Sequence, residues 1–92
     1  MDKREAERVL AVVKRYFADE GFADVPDGEW IFRDHTHEEL PPGSWSLACE
    51  GHLPPDWAVE VSNAGEVRAE TQHRGVFLEP ILGCILGIYD DK

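Results

Sequence analysis

Basic side chains are scarce in this sequence: nine lysines and arginines stand against nineteen aspartates and glutamates, a formal net charge of −10. The imbalance excludes binding to nucleic-acid backbones or anionic membranes by net attraction, and it directs attention to partners that carry positive charge. Cysteine is also rare, with Cys49 and Cys84 the two examples. Two thiols make a thin framework for a disulfide-stapled fold, so two reduced side chains are the expected state. No apolar run reaches the length of a bilayer span. The chain begins Asp2-Lys3-Arg4-Glu5 with no apolar core of the kind a secretory signal needs, and a cytoplasmic protein is the expectation. Also missing are a phosphate-cradling glycine loop, a nucleophile beside its base and any specific metal signature. No cofactor is therefore expected, and an enzyme is the less favoured class.

What is present fits one domain, residues 1–92, with a single core. A chain of this size buries only about 60–65% of its unfolded surface, which limits stability. Its charge is uneven. Residues 1–20 carry five basic and five acidic side chains, whereas residues 21–92 carry four and fourteen. The whole net charge thus falls outside the first predicted element.

That element is a helix over about 3–20, where Ala6, Val9, Leu10, Val13, Tyr16 and Phe17 recur at three-and-four spacing. Asp2 suits its N-cap, with Glu5 three positions on, and Gly21 its stop. Arg4, Arg8, Lys14 and Arg15 occupy the other side and read as a solvated face rather than a docking stripe. Asp24-Val25-Pro26-Asp27-Gly28 reads as a turn. Glu29-Trp30-Ile31-Phe32-Arg33 reads as a short strand with Trp30 and Phe32 on one face. The polar, proline-rich stretch 34–44 is the longest loop.

From Trp45 to Gln72 the chain reads as a strand, a rigid connection and a hairpin. In 45–50 the residues Trp45, Leu47 and Cys49 point inward. Residues 57–62 and 66–72 alternate large apolar with small or polar side chains around Asn63-Ala64-Gly65, where Gly65 is assigned a left-handed conformation. A meander built this way places Glu50, Glu60 and Glu70 on one sheet face with Arg68 as counter-charge. The final apolar stretch, 76–89, contains Pro80, Gly83 and Gly87. A long strand bent at Pro80 or Gly83 is preferred over a helix starting at Pro80, since interior glycines cost about 1 kcal/mol each in a helix. Such a strand needs cover on both faces, which leaves a homodimer through the C-terminal apolar strand open.

The expected fold class is α+β, an N-terminal helix packed on an antiparallel sheet of four to five strands in two layers. The favoured function is a small acidic protein-interaction module, of the inhibitor, immunity or adaptor kind, docking a basic partner through the acidic sheet face. Its candidate residues are Glu50, Glu60, Glu70, Arg68, His35 and His37. The alternative is a small-ligand-binding domain whose pocket is lined by Trp30, Trp45 and Trp57, although large aromatics more often fill cores. A third class uses His35 or His37 as a general base beside Glu38 or Glu39. His35, His37, Cys49 and His52 also offer zinc-type ligands, but an inward Cys49 would point away from the loop, and no metal site is assigned.

Overall fold

The structure, a computed structural model, describes residues 1–36, 40–49 and 51–91. Helix α1 runs Lys3–Phe17 and begins as its sequence dictates: the Asp2 carboxylate accepts the Glu5 backbone N–H at 2.9 Å. It closes in a wide helical turn, Ala18–Phe22, where Gly21 sits at φ 101°, a left-handed position suited to glycine. Ala6, Val9, Val13 and Phe17 are completely buried along one stripe. Phe22 folds back to set its ring edge-on to Phe17, with centroids 6.2 Å apart.

Strand β1 spans Ile31–Asp34 and β2 spans Trp45–Ala48. Helices α2 (Trp57–Asn63) and α3 (Gly65–His73) follow, and then β3 (Val76–Leu82) and β4 (Ile85–Asp90). All neighbours in the sheet pair antiparallel, in the order β1-β2-β4-β3. Leu47 on β2 faces Leu86 on β4, and both are fully buried with Ile88 against α1, α2 and α3. The expected α+β arrangement, an N-terminal helix packed with a four-stranded antiparallel sheet, is therefore present.

One expectation fails. Residues 57–73 form two short helices, not a hairpin. Trp57 and Val61 satisfy a period of two and a spacing of four equally, and Ala58 decides between them: Trp57, Ala58 and Val61 are all buried, while Val59 is 42% exposed. In α3 the buried pair Val67 and Thr71 repeats the four-residue spacing. Between its end residues the other positions, Glu66, Arg68, Ala69, Glu70 and Gln72, are good helix formers. Gly65 is the first residue of α3 and has no positive φ; the break between the helices comes at Ala64, which is extended at φ −70° and ψ 123°.

The C-terminal stretch also differs in part. It is strand, but two strands rather than one bent strand, because the chain reverses at Gly83-Cys84. Gly83 packs so closely against the segment before α2 that an added Cβ would lie 2.7 Å from an Asp56 carboxylate oxygen and 3.0 Å from the Pro55 carbonyl. The Gly83 carbonyl accepts the Ala58 N–H at 3.1 Å, so the hairpin turn serves the exposed start of α2. A register shift separates Pro80 from Leu82. On the second sheet face the Tyr89 ring lies over Gly87 and stacks on Phe77 at 5.0 Å. Ile31, Phe77, Ile81 and Leu82 remain exposed.

The helical assignment of 57–63 makes a sharp prediction. Val59→Asp should change stability by no more than about 0.5 kcal/mol, being exposed and in the first turn of a helix, where a carboxylate is welcome. Val61→Asp should cost on the order of 4 kcal/mol or unfold the chain, since it places an unpaired charge in the core. Urea unfolding of both variants tests this: a hairpin puts both valines inward and would make the two substitutions equally damaging.

Candidate functional site

Redrawing 57–73 as helices disperses the sheet-face constellation. Glu60 lies exposed on α2 and Glu70 half-buried on α3, so they share no sheet face. Glu70 instead accepts from Arg74 at 3.2 Å, and Arg74 also approaches Glu5 at 3.6 Å. Arg68 lies exposed on α3, beside β3. His35 sits half-buried in the turn after β1, while His37 and Glu50 lie outside the described residues.

The tryptophans fill space rather than jointly lining a cavity. Trp57 is 1% exposed, and its ring meets Phe17 and Trp30 edge-on at 5.9 and 6.0 Å. Its indole N–H donates to the Cys49 carbonyl at 2.9 Å. Trp45 stacks on Phe32 at 4.9 Å and donates to the Met1 carbonyl at 3.4 Å. Trp30 is buried except for an edge that borders a shallow dent with Phe22, Val25 and Lys14.

The thiols and histidines fall apart in the same way. Cys49 is buried in the core, and burial, assisted by the Glu29 carboxylate, pushes its thiol pKa up. His52 pairs with Glu29 at 3.6 Å. Among the described residues no three His, Cys, Asp or Glu side chains gather as metal ligands. The Cys49 N–H donates to the Cys84 carbonyl at 3.3 Å, which sets the two free cysteines opposite one another just beyond the β2–β4 ladder.

The residues that do converge are carboxylates around Tyr16. The helical spacing of α1 and its closing turn bring Asp19 and Glu20 three and four positions beyond Tyr16, onto the same side. From α2, Glu60 accepts the Tyr16 hydroxyl at 3.1 Å. From α3, Glu66 joins Val12, Arg15, Tyr16 and Asp19 around a dent of about 50 Å³. Burial is the largest cause, with the bonds and negative charges of Glu60 and Glu20 adding to it, that drives the Tyr16 pKa from 10.0 to about 12. Four carboxylates from three elements thus surround one neutral phenol. Of these, only Glu60 was visible as a site candidate in the sequence. Asp19 and Glu20 were legible from the helical repeat, but Glu66 required α3 to be recognised as a helix.

A phenol whose pKa is raised stays protonated in the fold where the unfolded chain has ionised, so stability falls as pH climbs from about 10 to about 12. Absorbance titration near 295 nm should show Tyr16 ionising at the upper end of that range, and Glu60→Gln should move its midpoint down toward 10. An unmoved midpoint would mean that Glu60 contributes nothing to the shift. The cysteines give a second check: iodoacetamide should alkylate half-buried Cys84 at least tenfold faster than buried Cys49 in the native protein, and both alike in denaturant. Equal native rates would place Cys49 outside the core. No protein-family model, curated protein or solved structure matches this chain, so the functional reading rests on the chemistry of its own surface.

Proposed function

We propose that this chain is a protein-interaction module that docks the basic surface of a partner protein through the carboxylates around Tyr16. The supporting observation is their convergence: Asp19, Glu20, Glu60 and Glu66 approach a single phenol from three separate elements, with Arg15 the neighbouring cation. An aromatic ring amid fixed carboxylates gives a lysine or arginine both a face to cover and charges to meet. Steering of a cationic partner by a body of net charge −10 would quicken the encounter. Inhibitor, immunity and adaptor roles all use this kind of contact, and the sheet face expected from the sequence is replaced here by a helical one. Nucleic acid is disfavoured by the same charge.

The cytoplasm suits a chain with two free thiols, one of them in the core. Among the described residues no helix is long and apolar enough to cross a membrane. A second reading, a homodimer through the C-terminal apolar hairpin, draws on the exposure of Phe77, Ile81 and Leu82, the last at 60%.

Affinity capture from the source lysate at low salt, followed by purified binding measurements, tests the first reading. Association should weaken more than tenfold between 50 and 500 mM salt and again in a Glu60→Lys/Glu66→Lys variant whose circular dichroism is unchanged, estimates of the order expected for charge-dominated contacts. Binding that ignores both salt and charge reversal rejects this surface.

A further inference from the structure

Leu47 and Leu86 oppose each other on β2 and β4 and are fully buried against the helices, so the residues on either side of them turn to the opposite face of the sheet. Strand pairing arranges that outer face in rows. Arg33 on β1 is opposed by Ser46 on β2, Ser46 by Gly87 on β4, and Gly87 by Glu79 on β3. One row thus runs from a cation at one edge of the sheet to a carboxylate at the other, and both end residues are exposed. The row on one side of it is apolar throughout: Ile31, Ala48, Ile85 and Leu82. On the other side Phe77 and Tyr89 are opposed and stacked. Burial is the larger cause that pushes the Tyr89 pKa up, and the Glu79 charge adds to it, in keeping with ring and carboxylate on one face.

Ile31, Phe77 and Leu82, with Ile81 beside the register shift, are the large apolar residues exposed on the sheet. Apolar rows on both sides of a charged one mark a contact surface rather than a solvated face.

We propose that a second copy of this chain covers the outer face, related by a two-fold axis that runs along the strands between the two sheets. This dimer rests on the homodimer reading of the C-terminal hairpin and extends the contact to all four strands. An axis in that direction exchanges left and right across the sheet and keeps every row at its own level. Strand β1 then lies over β3 of the second copy, Arg33 over its Glu79, and Ile31 over its Leu82. The interface is isologous, so each contact occurs twice. Sheets packed in this aligned way lie about 10 Å apart, which lets the apolar rows interdigitate while the ion pairs form at the rim.

Charge decides against the other arrangements. A two-fold across the strands, centred on the charged row, sets Arg33 on Arg33 and Glu79 on Glu79. One centred beside that row lays Glu79 on Phe77 or Leu82, which buries a carboxylate without a cation. Arg33 also interacts within its own chain, and the five donors of a guanidinium leave room for a second acceptor. The carboxylates around Tyr16 belong to the helical layer on the far side of the sheet. Exposed charges separated by more than about 8 Å are largely screened at physiological salt, so the net charge of −10 does not dominate this contact.

Sedimentation velocity of the whole chain at tens to hundreds of micromolar tests this, with Arg33→Glu and Glu79→Arg as variants. The wild type should sediment as a dimer, and each variant alone should dissociate at least tenfold more readily, because each sets like charges together twice. An equimolar mixture of the two variants should recover the dimer, since in the mixed pair every contact again joins opposite charges. A role within one chain cannot produce that recovery. Both positions are exposed, and unchanged circular dichroism identifies the variants as folded. Glu60→Lys/Glu66→Lys should leave the dimer intact, and its loss in that variant overturns the assignment to this face. A monomeric wild type overturns the proposal together with the homodimer reading. A dimer that neither substitution weakens, or that mixing does not restore, overturns this two-fold and leaves the homodimer reading standing.

Discussion

Burial of the Trp57 indole is the constraint on which the rest of the structure depends. A ring that large supplies much of the apolar area available to a chain of this length, and its N–H needs an acceptor once water is gone. The Cys49 carbonyl, just past β2, provides one at 2.9 Å. Phe17 from α1 and Trp30 from the segment entering β1 close on the ring from two sides. One side chain therefore fixes α1, the first two strands and the start of α2 relative to each other. Once Trp57 is committed inward, Ala58 and Val61 can join it only if the segment is helical. The Gly83 carbonyl then meets the Ala58 N–H, and the β3–β4 hairpin is positioned as a consequence.

This dependence explains which parts of the fold could be read in advance. Helix α1 was legible to its capping residue because six apolar positions over a dozen residues admit only one period. Strands β1 and β2 were legible as well, bounded by turn residues, with Trp30 immediately before β1 and Trp45 opening β2. Residues 57–73 were not, because a segment of about seven residues with apolar side chains at 57, 59 and 61 fits two periods at once. Propensity pointed the right way in 66–72, where alanine, glutamate, arginine and glutamine outnumber β-branched residues, and alternation outweighed it wrongly. The turn at Gly83-Cys84 was hidden for another reason. It is imposed by contact with Pro55 and Asp56, thirty residues away in sequence by order of magnitude, and no local signal reports such a contact.

The same ambiguity of period displaces the candidate site. Assigning 57–72 to strands lined up Glu60 and Glu70 because they are ten positions apart, an even number, and so fall on one face of a pleated ribbon. On two helices broken at Ala64 that parity means nothing. Glu60 turns to Tyr16 and Glu70 to Arg74, at different parts of the helical layer. By its spacing Tyr16 belongs to the apolar stripe of α1, and it lies on that side of the helix. Its hydroxyl, though, reaches past the core to the Glu60 carboxylate of α2.

Why acid accumulates around Tyr16 follows from where the cations go. Arg8 pairs with Glu5 along α1, Lys14 reaches Asp27 at 3.4 Å, and Arg74 bridges Glu5 and Glu70. These pairs are exposed or partly exposed and add little stability individually. Their effect is on distribution: with few basic residues in the chain, each pair formed elsewhere leaves fewer to neutralise Asp19, Glu20, Glu60 and Glu66. Arg15 is the cation that borders this group. The resulting surface holds like charges close together, an arrangement that works against the folded state unless a partner offsets it. A carboxylate cluster held by three elements is what a chain would present if its charges were completed by another protein rather than by itself.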